Sequence, residues 1–247
     1  MTEVVPIISD LQVPLHDKRA VSAVAAWVAD IGATRVACVG DVFDQTEVGR
    51  WVRGKAGEYT GQLAASRDAA VEVMRDLGIT DLSRSNHDDR LEKYVREYAP
   101  ALSSLPELAT EEFMGLNELG ITFHRKPHEI VKNWLLMHGD ESGYSRLAGM
   151  TALSLARKAG KSVVCGHTHK VGLTHDHPTV NGKITREIWG FEVGNLMDAK
   201  HAHYMGGGIM NWQQSVGALV VDGKDVYPIP VLIKGGKLYW EGHTYRG

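Results

Sequence analysis

The stretch ATRVACVGDVFD, residues 33–44, decides the reading of the fold. Its first part is small, apolar and partly β-branched, the composition of a buried strand, and it stops at a glycine followed at once by an aspartate. On either side the same grammar repeats. Upstream, VVPIIS (4–9) reads as a strand and DKRAVSAVAAWVADIG (17–32) as a helix, with aspartate at its start, apolar residues at helical spacing and glycine at its end. Downstream, GEYTGQLAASRDAAVEVMRDLG (57–78) reads as a second helix, TDLSRS (80–85) as a third strand and DRLEKYVREYAP (89–100) as a helix stopped by proline. Strand, helix, strand, helix, strand is the α/β signature. Residues 100–120 suggest short helical pieces. GITFHR, HEIVKN and WLLMHGD then read as strands, SRLAGMTALSLARKAG as a helix and KSVVCG as a buried strand. The last third holds GLTHDH, TREIWGFEVG, QSVGALVVDG, DVYPIPVLI and KLYWEG, joined by Gly, Asp and Pro turns, which predicts a largely antiparallel tail.

The chain has 247 residues, 43% hydrophobic and 23% charged, the balance of an ordinary globular protein. No repeat, low-complexity segment or linker divides it, so residues 1–247 are expected to form one domain. The formal charge of −3 excludes a general basic field for holding nucleic acid by its phosphates, although a local groove can still be basic. The start, MTEVVPIISDLQ, has neither the basic region nor the long apolar run of a signal peptide, and no stretch is apolar for long enough to span a bilayer. The expected location is therefore the cytoplasm, that of the host cell if the chain is phage-encoded. Cys38 and Cys165 both sit in apolar runs and read as buried core residues, not as a disulfide. Histidine is the unusual entry, with 12 copies, several of them in pairs.

Acidic, amide and imidazole residues recur where strands end. They are Asp10 with Gln12 and His16; Asp41 with Asp44; Asn86, His87 and Asp88 within RSNHDDR (84–90); His138 with Asp140; and His167 with His169. The carboxyl ends of parallel strands gather at one edge of an open α/β sheet, where ligands bind. Carboxylates and imidazoles crowded there shift one another's pKa and resist desolvation, which divalent cations relieve. Mixed Asp, His and Asn donors suit Mn, Fe, Ni or Zn better than Ca or Mg. Two ions about 3.5–4 Å apart, bridged by one carboxylate, form a clamp for phosphoryl hydrolysis with a bridging hydroxide as nucleophile.

GDVFD, SNHD, an isolated MHG and GHTH, in that order and following Asp10, resemble the motif series of the calcineurin-like metallophosphoesterases. SNHDDRLEKY is most similar to the phage and bacterial branch of that family. The resemblance implies a four-layer αββα sandwich with two facing mixed sheets and a dinuclear centre, Mn being the first choice of metal. It implies that Asp41 bridges both ions, that Asp10 and His169 bind the first, and that Asn86, His138 and His167 bind the second. His87 is expected beside the phosphorus, protonating the leaving oxygen. Asp44 is expected to orient a neighbour, and Asp88 either to hold His87 in its productive tautomer or to cap the following helix. Two positions depart from the pattern. Gln12 stands where the family has histidine, a weaker neutral donor, with His16 in reserve. Ser85 replaces a glycine, which is tolerable if the backbone there does not need positive φ.

Outside these motifs, His124, His128 and His243 read as surface or satisfied core histidines. HTHKVGLTHDH (167–177) offers His167, His169, His175 and His177 as an alternative zinc cluster. Asn195, His201 and His203, ahead of a glycine run, suggest either a loop over the pocket or an exposed turn. Arg50, Trp51, Arg53 and Lys55 form a basic and aromatic segment able to hold a nucleotide by charge and stacking, and Arg84 and Arg90 flank the proton donor, placed to touch phosphate or to pair with acids. The expected activity is hydrolysis of small phosphodiesters or nucleotides. Two alternatives stand beside it: a nuclease using the same chemistry, and a non-catalytic metal-binding scaffold. Oligomeric state is not legible.

Overall fold

The computed structural model describes residues 2–201 and 210–247. Two sheets face each other. The larger begins with β1 (Glu3–Ile8), β2 (Ala37–Cys38), β3 (Asp81–Ser83) and β4 (Thr122–His124), all mutually parallel. It is extended by β12 (Ser215–Asp222), antiparallel to β1, and by the meander β13 (Asp225–Lys234), β14 (Lys237–Trp240) and β15 (His243–Arg246), in the order β15-β14-β13-β12-β1-β2-β3-β4. The smaller sheet has the order β5-β6-β7-β11-β8, formed by β5 (His128–Val131), β6 (Trp134–Leu136), β7 (Ser162–Cys165), β11 (Ile188–Val193) and β8 (Val171–Asp176). A two-stranded hairpin, β9 (Thr179–Val180) with β10 (Lys183–Ile184), stands apart.

Val5, Ile7, Ala37 and Val39 from the larger sheet meet Trp134, Leu136, Val164 and Phe191 from the smaller one, a dry layer that joins the two. On the outer face of the larger sheet lie α1 (Lys18–Asp30) and α2 (Leu63–Asp76), and α5 (Met150–Ala159) covers the smaller sheet. The result is the four-layer αββα sandwich. Asp17 starts α1 by accepting bonds from the backbone N–H groups of Arg19 (3.0 Å) and Ala20 (3.4 Å). The helix then buries Val21, Val24, Trp27 and Val28, with Trp27 packed on Trp240 at 5.4 Å between ring centroids. Among the described residues no helix is long and apolar enough to cross a membrane.

Two expectations need correction and one holds. The second helix begins at Leu63 rather than Gly57: a short 3₁₀ turn at Ala56–Tyr59 precedes it, in a segment where two glycines disfavour continuous helix. The tail is largely antiparallel, as expected, with β8 on β11 and β12 to β15 pairing in succession; it is divided between the two sheets, and β11 also runs parallel to β7. The five motif-bearing strands do not share a single sheet edge either. β1, β2 and β3 belong to the larger sheet, β6 and β7 to the smaller. Their carboxyl ends still meet, because the chain crosses between sheets after β4 and the two parallel blocks end on the same side.

A connection beside α3 (Arg90–Tyr98) ties this frame together. Glu92 accepts from the backbone N–H of Thr110, the first residue of the short α4 (Thr110–Phe113), at 2.6 Å, and from Arg125 at 2.7 Å, while Arg125 also pairs with Glu111. Burial acts to raise the Glu92 carboxyl, but Arg125 and the Thr110 amide outweigh it and push it down to about 2, from an ordinary 4.5. A carboxyl whose folded pKa is depressed stabilises the fold above its unfolded pKa and loses that contribution as pH falls toward the folded value. Glu92→Gln is therefore expected to lower the thermal midpoint at neutral pH, with the gap from the parent closing between about pH 4.5 and 2. Melts followed by circular dichroism across that range check it; a gap that does not change with pH contradicts it.

Candidate metal centre

Five of the candidate side chains sit in strained turns that follow strand ends. Among the described residues nine non-glycine residues have positive φ, and five of them are Asp10 (49°), Gln12 (53°), Asp41 (54°), His167 (66°) and His169 (56°). Left-handed backbone is costly for such residues, of order 1–3 kcal/mol each, and its concentration on these positions makes them a candidate functional site. Ser85 is absent from that set, so the replacement of glycine there is tolerated. Its buried hydroxyl instead accepts from the Asp41 backbone N–H at 2.9 Å and donates to Asp88 at 2.7 Å. Gly166 lets β7 approach β1: a Cβ at this position would lie 1.7 Å from Ser9 Oγ and 2.4 Å from Asp10 Oδ2. That closeness allows the His167 backbone N–H to donate to Asp10 Oδ2 at 2.8 Å, while the Ser9 hydroxyl bonds the same oxygen.

Asp41, His138 and His167 offer donor atoms that all lie within 4.8 Å of one another. His138 is fully buried. Its Nδ1 faces the Val39 carbonyl at 2.8 Å, which places the proton there and turns Nε2 inward. Around that Nε2 stand Asn86 Oδ1 at 2.9 Å, His167 Nδ1 at 3.2 Å and Asp41 Oδ1 at 3.3 Å. On the other side of Asp41, Gln12 Nε2 donates to Asp41 Oδ2 at 3.0 Å, and His169 Nε2 meets Asp10 Oδ1 at 3.1 Å. His169 Nδ1 is buried without a hydrogen-bond partner among the described residues.

The electrostatics show what this donor set calls for. Burial alone would lower the His138 imidazole, yet the Asp41 carboxylate reverses that and pushes it up to about 10. Burial would raise Asp41, yet His138 and His87 hold it well below the usual carboxylate range, and His169 holds Asp10 down against the same burial. His167 is lowered by burial and by His138. A group of lone pairs aimed at one another in a dry pocket requires a positive charge, supplied by a proton here and equally by a divalent cation. The donor set therefore fits a metal.

His87 lies at the rim. Its Nδ1 is 2.9 Å from Asp44 Oδ1 and its Nε2 is 2.8 Å from Arg90 Nη2 and 3.9 Å from Asp41 Oδ2. Burial opposes its charge, but Asp41 and Asp44 overcome that and Arg90, and raise it above the ordinary imidazole range. The contact that orients His87 thus comes from Asp44. Asp88 faces the other way: its carboxylate accepts from the backbone N–H groups of Phe43 (3.0 Å) and Val42 (3.4 Å), and burial followed by the Asp41 charge raises it to about 6. Nor does Asp88 cap α3, whose preceding residue is Asp89. Both roles expected of Asp88 give way to one: it fixes the turn that carries Asp41 and Asp44.

The remaining candidates separate. His16 has Lys18 and Asp17 as its electrostatic neighbours and a buried, unpartnered Nδ1, so the reserve ligand stands outside the cluster. Arg84 is taken up by Asp89 (2.6 Å) and Asp140 (2.8 Å). Arg50, Trp51, Arg53 and Arg90 line, with Asn86, His87 and His167, an open cavity of about 540 Å³, and Arg53 stacks over Tyr98 at 3.7 Å. Tyr144 and Trp212 flank a second opening of about 290 Å³ beside Gln12, Asp41 and His169. No sequence motif announced either aromatic. The alternative four-histidine cluster does not form: His175 and His177 pack edge-on against Trp189, each at 5.0 Å. Asn195 is a structural residue whose amide donates to the carbonyls of His169 and Gln213, both at 3.1 Å, and His201 is exposed. His203 and the glycine run of the suggested loop lie outside the described residues.

No family model matches the sequence. The fold is similar to that of Vacuolar Protein Sorting 29 from Cryptosporidium parvum, with a TM-score of 0.52 and 17% identity over 100% of this chain and 99% of that one. Over 255 aligned residues spanning all of both chains, the sequence is 30% identical to the Gene 54 protein of Mycobacterium phage D29 and 29% identical to the Gene 54 protein of Mycobacterium phage L5. A match of that extent and identity means that the chain belongs to the family of these phage Gene 54 proteins.

Proposed function

We propose that this protein is a metal-dependent phosphoesterase of the calcineurin-like kind, acting on phosphodiester or nucleotide-type substrates. The observation that carries the reading is the convergence of Asp41, His138 and His167, with Asn86 Oδ1 2.9 Å from His138 Nε2, in a buried pocket that opens onto a basic cavity. Asn86, His138 and His167 would hold one cation, Asp10, His169 and Gln12 a second, and Asp41 both. Manganese is the first candidate, with Fe, Ni and Zn compatible with the same donors. Divalent cations held there supply positive charge to the phosphoryl oxygens and lower the pKa of water.

The chain's own groups do the rest. Val39 locks the His138 ring, and Ser85 and Asp88 lock the turn bearing Asp41. Water attacks phosphorus in line, the P–O bond to the alcohol breaks, the departing oxygen takes its proton from His87 Nε2, whose imidazole Asp44 steadies, and the proton of the attacking water passes to solvent as the phosphate product leaves. Arg90, now on Nε2, moves to the substrate phosphate as the substrate binds, which frees that nitrogen for proton transfer. The test is hydrolysis of a chromogenic phosphodiester with and without Mn; folded protein inactive with every divalent metal contradicts the proposal.

His87→Ala is expected to slow hydrolysis of an alkyl phosphodiester by about 10²–10⁴-fold, and hydrolysis of a nitrophenyl ester far less, because nitrophenolate leaves without a proton. Equal losses on both substrates contradict proton donation. A second reading, a nuclease, draws on Arg50, Trp51, Arg53 and Lys93 around the cavity. It requires a steep fall in affinity for oligonucleotides with added salt, which a small-substrate enzyme does not show.

A further inference from the structure

Asp81, His124 and His128 form a second convergence, sharing no residue with the centre above. Their donor atoms all lie within 4.8 Å of one another. They sit where the chain leaves one sheet and enters the other. His124 is the last residue of β4, His128 the first of β5, and only Arg125, Lys126 and Pro127 separate them. Asp81 opens β3, the neighbour of β4. The three side chains therefore join the last strand pair of the larger sheet to the edge strand of the smaller.

Their geometry suits a ligand set. Asp81 is braced through Oδ2 by the Thr80 hydroxyl at 2.8 Å, which leaves Oδ1 to meet His124 Nε2, also at 2.8 Å. The imidazoles of His124 and His128 lie face to face, 3.8 Å between centroids and 11° from parallel. A parallel sandwich is the poorer arrangement for two rings, and two imidazolium ions cannot share it without repulsion. A cation taking one nitrogen from each ring and one carboxylate oxygen removes both difficulties once the His128 ring turns out of the stack, since a metal lies in the plane of each imidazole that binds it. The spacing of two histidines with three residues between them is also a zinc spacing. The carboxylate and His124 are mostly shielded, with side-chain exposures of 16% and 11%, so water competes weakly for the donors.

We infer that Asp81, His124 and His128 form a zinc site that staples the crossover between the two sheets, with solvent in the remaining coordination position. Its role is structural: zinc bound to the folded chain alone adds stability by mass action, and the crossover is the direct backbone link between β4 and β5.

The experiment is zinc uptake by the full chain, measured by equilibrium dialysis and elemental analysis. It is run in the His138→Ala background, which disables the proposed catalytic centre, with and without His128→Ala. The expected result is that His128→Ala removes one zinc equivalent and shrinks the zinc-induced rise in thermal midpoint; equal zinc content with and without His128 overturns the site. If the double variant does not fold, His128→Gln in the unaltered chain is read the same way. It should lose one zinc equivalent while keeping Mn-dependent phosphoesterase activity, and unchanged zinc content again overturns the inference. Because the readout is zinc lost on changing His128, inactivity of the other centre leaves it decisive.

Discussion

Asp41→Asn is expected to bring hydrolysis down by about 10³-fold or more and to strip the protein of its metal. Asp41 is the hub of the pocket: it is 1% exposed, receives the Gln12 amide and the His87 backbone N–H, and faces His138 at 3.3 Å and His87 at 3.9 Å. Asparagine matches its shape but carries no charge, so the ligand proposed to be shared by both cations is lost. His138, which Asp41 more than any other group keeps charged against burial, is left with an uncompensated site. Breaking one side of a buried pair of this kind costs about 3–5 kcal/mol. The variant should therefore melt lower, bind Mn weakly and show no turnover. Circular dichroism, metal analysis and kcat/KM measured on the same preparation check all three, and near-parental activity in a folded Asp41→Asn protein contradicts the role.

The second large effect is structural. Gly190 lies in β11, paired with Val163 of β7 and Thr174 of β8. A Cβ there would lie 2.1 Å from the backbone nitrogen of Leu153 and 2.5 Å from its Cα. These atoms are the backbone of α5 and cannot swing aside as a side chain can. Gly190→Ala must push α5 off the smaller sheet, opening the layer that buries Ala152, Leu155 and Ala156. Overpacking costs about 1–3 kcal/mol in cores that can adjust, and a clash with helix backbone belongs at or beyond the upper end. Gly190→Val should not fold. Because β7 carries His167 at its end, activity of Gly190→Ala should fall along with stability. Denaturant midpoints measure this, and an unchanged midpoint would mean that helix and sheet are not held this close.

How far the sequence reached can be judged from particular residues. Strand ends marked by Asp10, Asp41, Asn86, His138 and His167 were legible because a β-branched run followed by a polar break is a local signal. Their convergence followed from the rule for parallel strands. The division between two sheets did not, since periodicity says that a segment is a strand and nothing of which sheet receives it. The partners that tune the site are also distant in the chain. The Val39 carbonyl that fixes His138 is 99 positions away, and Asp44 reaches His87 across 43. Adjacency suggested Asp88 for that task, but successive residues on a tight turn point apart, and Asp88 turned to the Val42 and Phe43 amides instead. His124 and His128 looked unremarkable because their third partner, Asp81, comes from another strand.

Anomalous diffraction from crystals grown with saturating Mn tests the central claim most directly. The account predicts a strong peak bounded by Asp41, Asn86, His138 and His167, with a second on the side of Asp10 and His169. Ordered side chains at these positions with no anomalous density among them would contradict it.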